Sequence, residues 1–342
     1  MTTKKWVKAT LFLTFSALIS IGGFNYLIDP LWCFEHKNFL QSHREGFNER
    51  QQKINLIHFG NLNFQGVILG SSRVTVHDSK TFLPLKIFNL AADGMTPYEF
   101  HDYVEFAKTK NGSKIDTIFL GLDLSAIGPK INENDIHTYI NTSYAPLYRY
   151  KTLITYDATS ISIKNLRNTL FNRYKKRFKT YNEEHIAHSH EIAPDKVNHI
   201  INEHLKLIQN DTLKYDRNNY IKALKTLRKN NPSAKFIAFT TPLPDPVLKV
   251  LLSKKSNRDI YYQWLNDITT IFGNIHHFCY SNLVSQNYSS TFIDPAHYTS
   301  DVGNCINLKI QGEPCKGAIF NDFGLILNES NISQLRINSL NR

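Results

Sequence analysis

Twenty residues from Ala9 to Ile28 carry no charge, and that run constrains the chain more than any other stretch in it. A helix rises about 1.5 Å per residue, so a run of this length matches a hydrocarbon core of about 30 Å. Lys4, Lys5 and Lys8 precede it. Their charge predicts that residues 1–8 stay in the cytoplasm. No Ala-x-Ala cleavage pattern follows, so residues 9–28 read as an uncleaved signal anchor that sends the rest of the chain across the membrane. A helix apolar on every side and starting at residue nine would otherwise need a large protein around it.

Asp29 to Asn61 reads as a neck, with Pro30, several charges, and Trp32 and Phe34 close to the membrane exit. Trp32 either sits at the interface or packs against the folded domain, which spans 62–342. Of the 342 residues 42% are hydrophobic, with 22 Phe and 17 Tyr, which excludes a disordered chain. Four cysteines are too few for a disulfide scaffold and lack the paired spacing of a zinc site. Cys33 and Cys279 read as buried thiols. Cys305 and Cys315 lie ten apart and can be bridged in an oxidising compartment.

Several short apolar runs end abruptly in small or charged residues. Gly66-Val67-Ile68-Leu69 suits a buried strand, and Gly70-Ser71-Ser72-Arg73 breaks it. In open α/β sheets the carboxyl ends of strands are where ligands and reacting groups collect. A second strand, Lys86–Leu90, contains Asn89 and runs into Ala91-Ala92-Asp93-Gly94-Met95-Thr96-Pro97-Tyr98-Glu99. Thr96, Pro97 and Glu99 form a helix-start signature, which places Gly94 in a tight loop just before a helix. There its N–H can approach a developing negative charge, or the glycine serves only the turn. Ile115–Leu120 is a third strand leading to Asp123, and Lys235–Thr240 a fourth, ending at a proline-rich loop. Helices are expected across 193–230 and 259–272, a strand near Phe278–Tyr280, and a closing segment at Phe323–Leu327.

Residues 127–190 form an insertion of weak periodicity. Between 151 and 180 it holds eight Lys or Arg against one acidic residue, Asp157. With a net charge of +11, Arg173, Lys175, Lys176, Arg177 and Lys179 suit a polyanion. The predicted topology removes nucleic acid from the candidates. An envelope polysaccharide, acidic lipid headgroups, a membrane partner, or a merely solvated basic face remain.

Asp294 and His297, three residues apart, can share one turn, the carboxylate holding one imidazole nitrogen while the other faces out. That fixes the tautomer needed to take a proton from a serine. A capping or surface role is the simpler alternative.

Together, Gly70-Ser71-Ser72, Asn89–Gly94, Gly121-Leu122-Asp123 and Asp294-Pro295-Ala296-His297 resemble the four ordered blocks of the SGNH (GDSL-like) hydrolase superfamily over residues 62–308. The resemblance implies a three-layer α/β/α, flavodoxin-like fold with a parallel sheet. It implies Ser72 as nucleophile, His297 as base and then acid, Asp294 as its orienter, and the N–H groups of Ser72 and Gly94 as oxyanion donors. It needs no cofactor. Membrane-anchored members of the superfamily acylate cell-envelope glycans beside multispanning acyltransferases, so the implied place is the bacterial inner membrane with the folded domain in the periplasm. The implied activity is O-acyl transfer or ester hydrolysis on an envelope polysaccharide, against an inert glycan-binding or assembly protein that keeps the fold. Asp123 departs from the pattern, which has an asparagine there. An ionised carboxylate cannot donate to an oxyanion. Either Arg73 neutralises it or it is turned away.

Overall fold

The computed structural model describes residues 3–112, 114–129, 135–176 and 178–333. In chain order the main elements are α1 (Thr3–Ile28), α2 (Glu49–Phe59), β1 (Gly66–Leu69), β2 (Ile87–Asn89), α3 (Pro97–Lys110), β3 (Thr117–Leu122), α4 (Ile136–Tyr144), α5 (Tyr148–Lys151), α6 (Tyr156–Leu170), α7 (Pro194–Ile208), α8 (Arg217–Asn230), β4 (Lys235–Thr240), α9 (Asp245–Ser253), α10 (Lys255–Phe272), β5 (Ile275–His277), α11 (Ser300–Ile310) and β6 (Leu325–Leu327), with short helices and a separate two-stranded ladder between them. They divide between two compact units, Met1–Leu62 with Ile136–Ile186, and Asn63–Asp135 with Ala187–Arg342.

The first unit carries α1, the one helix among the described residues long and apolar enough to cross a membrane. Its exposed Leu11, Phe12, Leu13 and Ile19 would be untenable in water and suit lipid. We therefore read the chain as anchored by one membrane-spanning helix. Burial begins only in the last two turns, where Asn25 donates to the carbonyl of Leu153 (2.7 Å) and the hydroxyl of Thr159 (2.8 Å). Beyond α1 the chain packs closely. Trp32 takes the second of its two readings, buried with the Arg44 guanidinium 5.4 Å above its ring and Tyr181 edge-on at 5.0 Å. Arg44 and Tyr181 exchange both backbone hydrogen bonds at 2.8 Å. α2 is buried along most of its length although its first half is polar, because those groups find partners: Tyr181 donates to Glu49 at 2.7 Å, and Gln52 to the Pro30 carbonyl at 2.8 Å.

The second unit is a mostly parallel sheet flanked by helices, in the order β2-β1-β3-β4-β5-β6. All neighbours are parallel except β6, which runs antiparallel to β5. Every residue of β1 and β3 is buried, as strands covered on both faces must be. From β1 the chain goes first to β2 on one side and later to β3 on the other. The crevice where the order reverses therefore opens at the ends of β1 and β3, immediately before Ser72 and Asp123. α3 starts where Thr96, Pro97 and Glu99 predict, with Glu99 accepting the Thr96 N–H at 3.0 Å. The fifth strand lies three residues ahead of its expected place. The Thr240 hydroxyl captures the N–H groups of Phe278 (2.9 Å) and Cys279 (3.2 Å), which takes that segment out of the ladder. Phe323–Leu327 ends in β6, whereas the tail beyond Ser333 lies outside the described residues. Cys305 and Cys315 form a disulfide, and Cys33 and Cys279 are buried free thiols.

Candidate active site

The turn after β1 brings Ser72 out of the sheet into partial exposure while its neighbours Ser71 and Arg73 are buried. Gly70 is required there because a β-carbon at that position would stand 2.5 Å from Cγ2 of Val74. Asn89 holds the same turn from β2. Its amide donates to the carbonyls of Val74 (2.9 Å) and His77 (3.0 Å), and its oxygen accepts the Ala91 N–H (3.0 Å).

At the other end of the chain, Asp294–His297 forms a bend closed by an antiparallel bridge between Phe292 and Tyr298. Asp294 Oδ1 accepts the backbone N–H groups of Ala296 (2.7 Å) and His297 (2.8 Å), so the loop fixes its own carboxylate. His297 Nδ1 lies 2.7 Å from Asp294 Oδ2, and His297 Nε2 lies 2.7 Å from Ser72 Oγ. Burial alone would raise the Asp294 pKa. The His297 ring and the two backbone donors outweigh burial and lower it below the usual carboxylate value. With Nδ1–H given to Asp294, Nε2 is the free acceptor for the serine proton, an arrangement able to make an alkoxide nucleophile. These three side chains come together across 225 residues of sequence.

Gly94 has φ +63°, and open space surrounds the place where a side chain would begin. Among the described residues neither the Ser72 nor the Gly94 backbone N–H has an acceptor. They lie beyond neighbouring strand ends, where Ala92 N–H still bonds the Gly70 carbonyl at 3.1 Å.

Asp123 is buried, accepts the Thr241 hydroxyl, and lies 3.6 Å from Arg73 Nη1. Arg73 does more than balance this charge. Its Nε donates to the Ala296 carbonyl at 2.7 Å and its Nη1 to Ser125 Oγ at 3.0 Å, which ties the serine turn to the histidine loop. The proline-rich loop after β4 thus contributes Thr241 beneath the site and is itself buried.

Of the five basic residues named for a polyanion, Arg173 and Lys175 are exposed, as are Lys151, Lys164 and Arg167 of the same insertion. Lys179 is not part of a basic surface: it is buried with Nζ 2.6 Å from Glu49, a pairing that no periodicity in the sequence signals. The side chain of Lys176, and Arg177 altogether, lie outside the described residues.

A further group had no sequence signal. His77, fully buried, sits 2.6 Å from Asn307 Oδ1 through Nδ1 and 2.8 Å from the Tyr298 hydroxyl through Nε2, bracing the residue after His297. Burial pushes its pKa down to about 4 against the opposing pull of Asn307 and Asp123. The unfolded chain, with an ordinary histidine, takes up that proton first. Stability from this group is therefore complete above about pH 6.5 and lost as the pH falls toward 4, by about 3 kcal/mol. Denaturant midpoints measured across that window should fall with pH, and His77→Gln should flatten the fall. His277, brought down to about 3 by burial, adds in the same direction.

Among the described residues no group of three or more His, Cys, Asp or Glu is placed to hold a metal ion. A shallow cavity of about 410 Å³ lies between α3 and α8, lined by Tyr98, His101, Asp102, Asp216 and Lys222 among others. It includes none of Ser72, Asp294 and His297, and the site is assigned on their hydrogen-bonded geometry instead. No family model and no curated protein matches the chain. One solved chain, from Streptococcus pneumonia and described provisionally as a platelet activating factor, aligns at 13% identity over 76% of this chain and 90% of its own, with a TM-score of 0.38. A likeness at that score carries no argument about fold or function.

Proposed function

We propose that this chain is a membrane-anchored serine acyl-transfer enzyme of the SGNH type, with its folded part on the extracytoplasmic side. The observation that carries this reading is the continuous line from Ser72 Oγ through His297 to Asp294, each step at 2.7 Å. His297 Nε2 takes the hydroxyl proton as Ser72 Oγ attacks an ester carbonyl. The tetrahedral oxyanion faces the N–H groups of Ser72 and Gly94. Collapse expels the alcohol, which leaves with the proton held by His297. A sugar hydroxyl or water then attacks the acyl-serine, giving up its proton to His297, and the serine is regenerated.

The acceptor we favour is an envelope polysaccharide, with the acyl group supplied by a multispanning membrane acyltransferase. The anchor supports this placement, as do the lysines ahead of it and a disulfide suited to an oxidising compartment. A second reading, an inert glycan-binding protein with the same fold, is favoured by Asp123, which occupies the place of a donor amide. Ion pairing with Arg73 weakens that objection by masking the charge.

The test uses the full chain in detergent micelles, exposed to a fluorophosphonate and separately to a chromogenic acetyl ester, with intact-mass detection. Covalent labelling confined to Ser72 and lost in Ser72→Ala is the expected result. A folded wild-type chain that takes no label and shows no acetyl adduct would remove the catalytic reading and leave the binding one.

A further inference from the structure

We propose that the segment Leu147–Tyr156, which comprises α5 and the turn leading into α6, lies in the boundary between headgroups and acyl chains of the same bilayer that α1 crosses. Its position along α1 carries the argument. Leu153 receives the Asn25 hydrogen bond, and the missing side chain of Gly22 faces Cγ2 of Ile154 at 3.9 Å and Cβ of Leu153 at 4.0 Å. Gly22 precedes the end of α1 by six residues. At about 1.5 Å of rise per residue the contact lies about 9 Å back along the helix.

Two limiting placements of α1 lead to one result. If the hydrocarbon begins after Lys8 and takes in Ala9–Ile28, Ile154 meets α1 inside the apolar slab. If instead the span is shifted toward the amino end to spare Gly22–Ile28, three lysines enter the hydrocarbon and Ile154 still meets α1 at its edge. In neither case does the segment stand off in bulk water.

The surface chemistry agrees. No side chain of α5 or of the turn Thr152–Ile154 is buried. Leu147 is 66% and Tyr156 85% exposed, with Tyr150 and Ile154 exposed between them. Tyrosines flanking aliphatic residues are the composition of an interfacial belt, and the adjacent Lys151 is exposed and suited to lipid phosphates. A second copy or a membrane protein would have to displace the lipid that α1 already brings to this face.

The experiment uses the full chain in vesicles of phosphatidylcholine and phosphatidylglycerol, with an environment-sensitive fluorophore on Tyr156→Cys. Cys33 and Cys279 are buried and Cys305 is bonded to Cys315, so the introduced thiol is the one labelled. Phe12→Cys on α1 provides the reading for a probe known to face lipid. Loss of quenching by aqueous iodide, together with quenching by a nitroxide near the headgroup end of the acyl chain, is expected at 156. Iodide quenching equal to that of the free dye overturns the proposal, and so does protection from both quenchers, which would mean a protein covers the face. Ile154→Cys repeats the measurement at a second exposed position and must give the same reading.

Discussion

Replacing His297 by alanine should lower kcat/KM for an activated ester by about 10⁴–10⁶, the loss seen when a serine hydrolase is deprived of its base. Ser72 has no other titratable side chain within hydrogen-bond distance among the described residues, so no neighbour can take over the proton. Asp294→Asn should lose about 10⁴ for a different reason. Asparagine keeps the oxygen that accepts the N–H groups of Ala296 and His297, so the loop survives. Its amide, however, presents hydrogens to Nδ1 and drives the proton to Nε2, where it faces Ser72. Steady-state kinetics should show the Asp294→Asn loss in kcat with folding unchanged. Losses of these sizes in the two variants at unaltered unfolding midpoints fit the mechanism, whereas wild-type turnover in His297→Ala would end it.

The second large effect is on stability. Arg73→Met should destabilise the chain by about 3–5 kcal/mol, the range for breaking one half of a buried ion pair. Asp123 would keep the Thr241 hydroxyl but lose its counter-charge in a buried site. The same substitution removes the bond to the Ala296 carbonyl and should also slow turnover. Adding Asp123→Asn to Arg73→Met should return most of the stability while leaving the rate low, since the amide restores charge balance and not the tether. Urea unfolding of the single and double variants separates these. A single Arg73→Met as stable as wild type would show that Asp123 does not need its partner.

Much of this could be read in advance where one residue type has one good use. Four strands and the start of α3 follow from aliphatic runs and from Thr96, Pro97 and Glu99. The meeting of Asp294 with His297 follows from their spacing, and that of Ser72 with His297 was expected only from the resemblance of the four blocks. The fifth strand slipped because Thr240, a long-range partner, decides where its ladder ends. The charge of the insertion suits a polyanion or a solvated basic face, but Lys179 turns inward to Glu49, and the helices there have mixed faces because part of each is turned toward α1 or α2. Arg73 shows the same limit. Its charge suggested a partner for Asp123, while its bond to Ala296 depends on a loop 223 residues away.

That distance has a consequence for synthesis. β1 is laid down early near the centre of the sheet, and β3, β4 and β5 are then added outward in sequence order. Ser72 therefore leaves the ribosome long before the segment that would deprotonate it. Until the sheet has grown by three strands the hydroxyl is an ordinary serine, so, under the proposed function, a chain interrupted before His297 anchors in the membrane without acquiring chemistry.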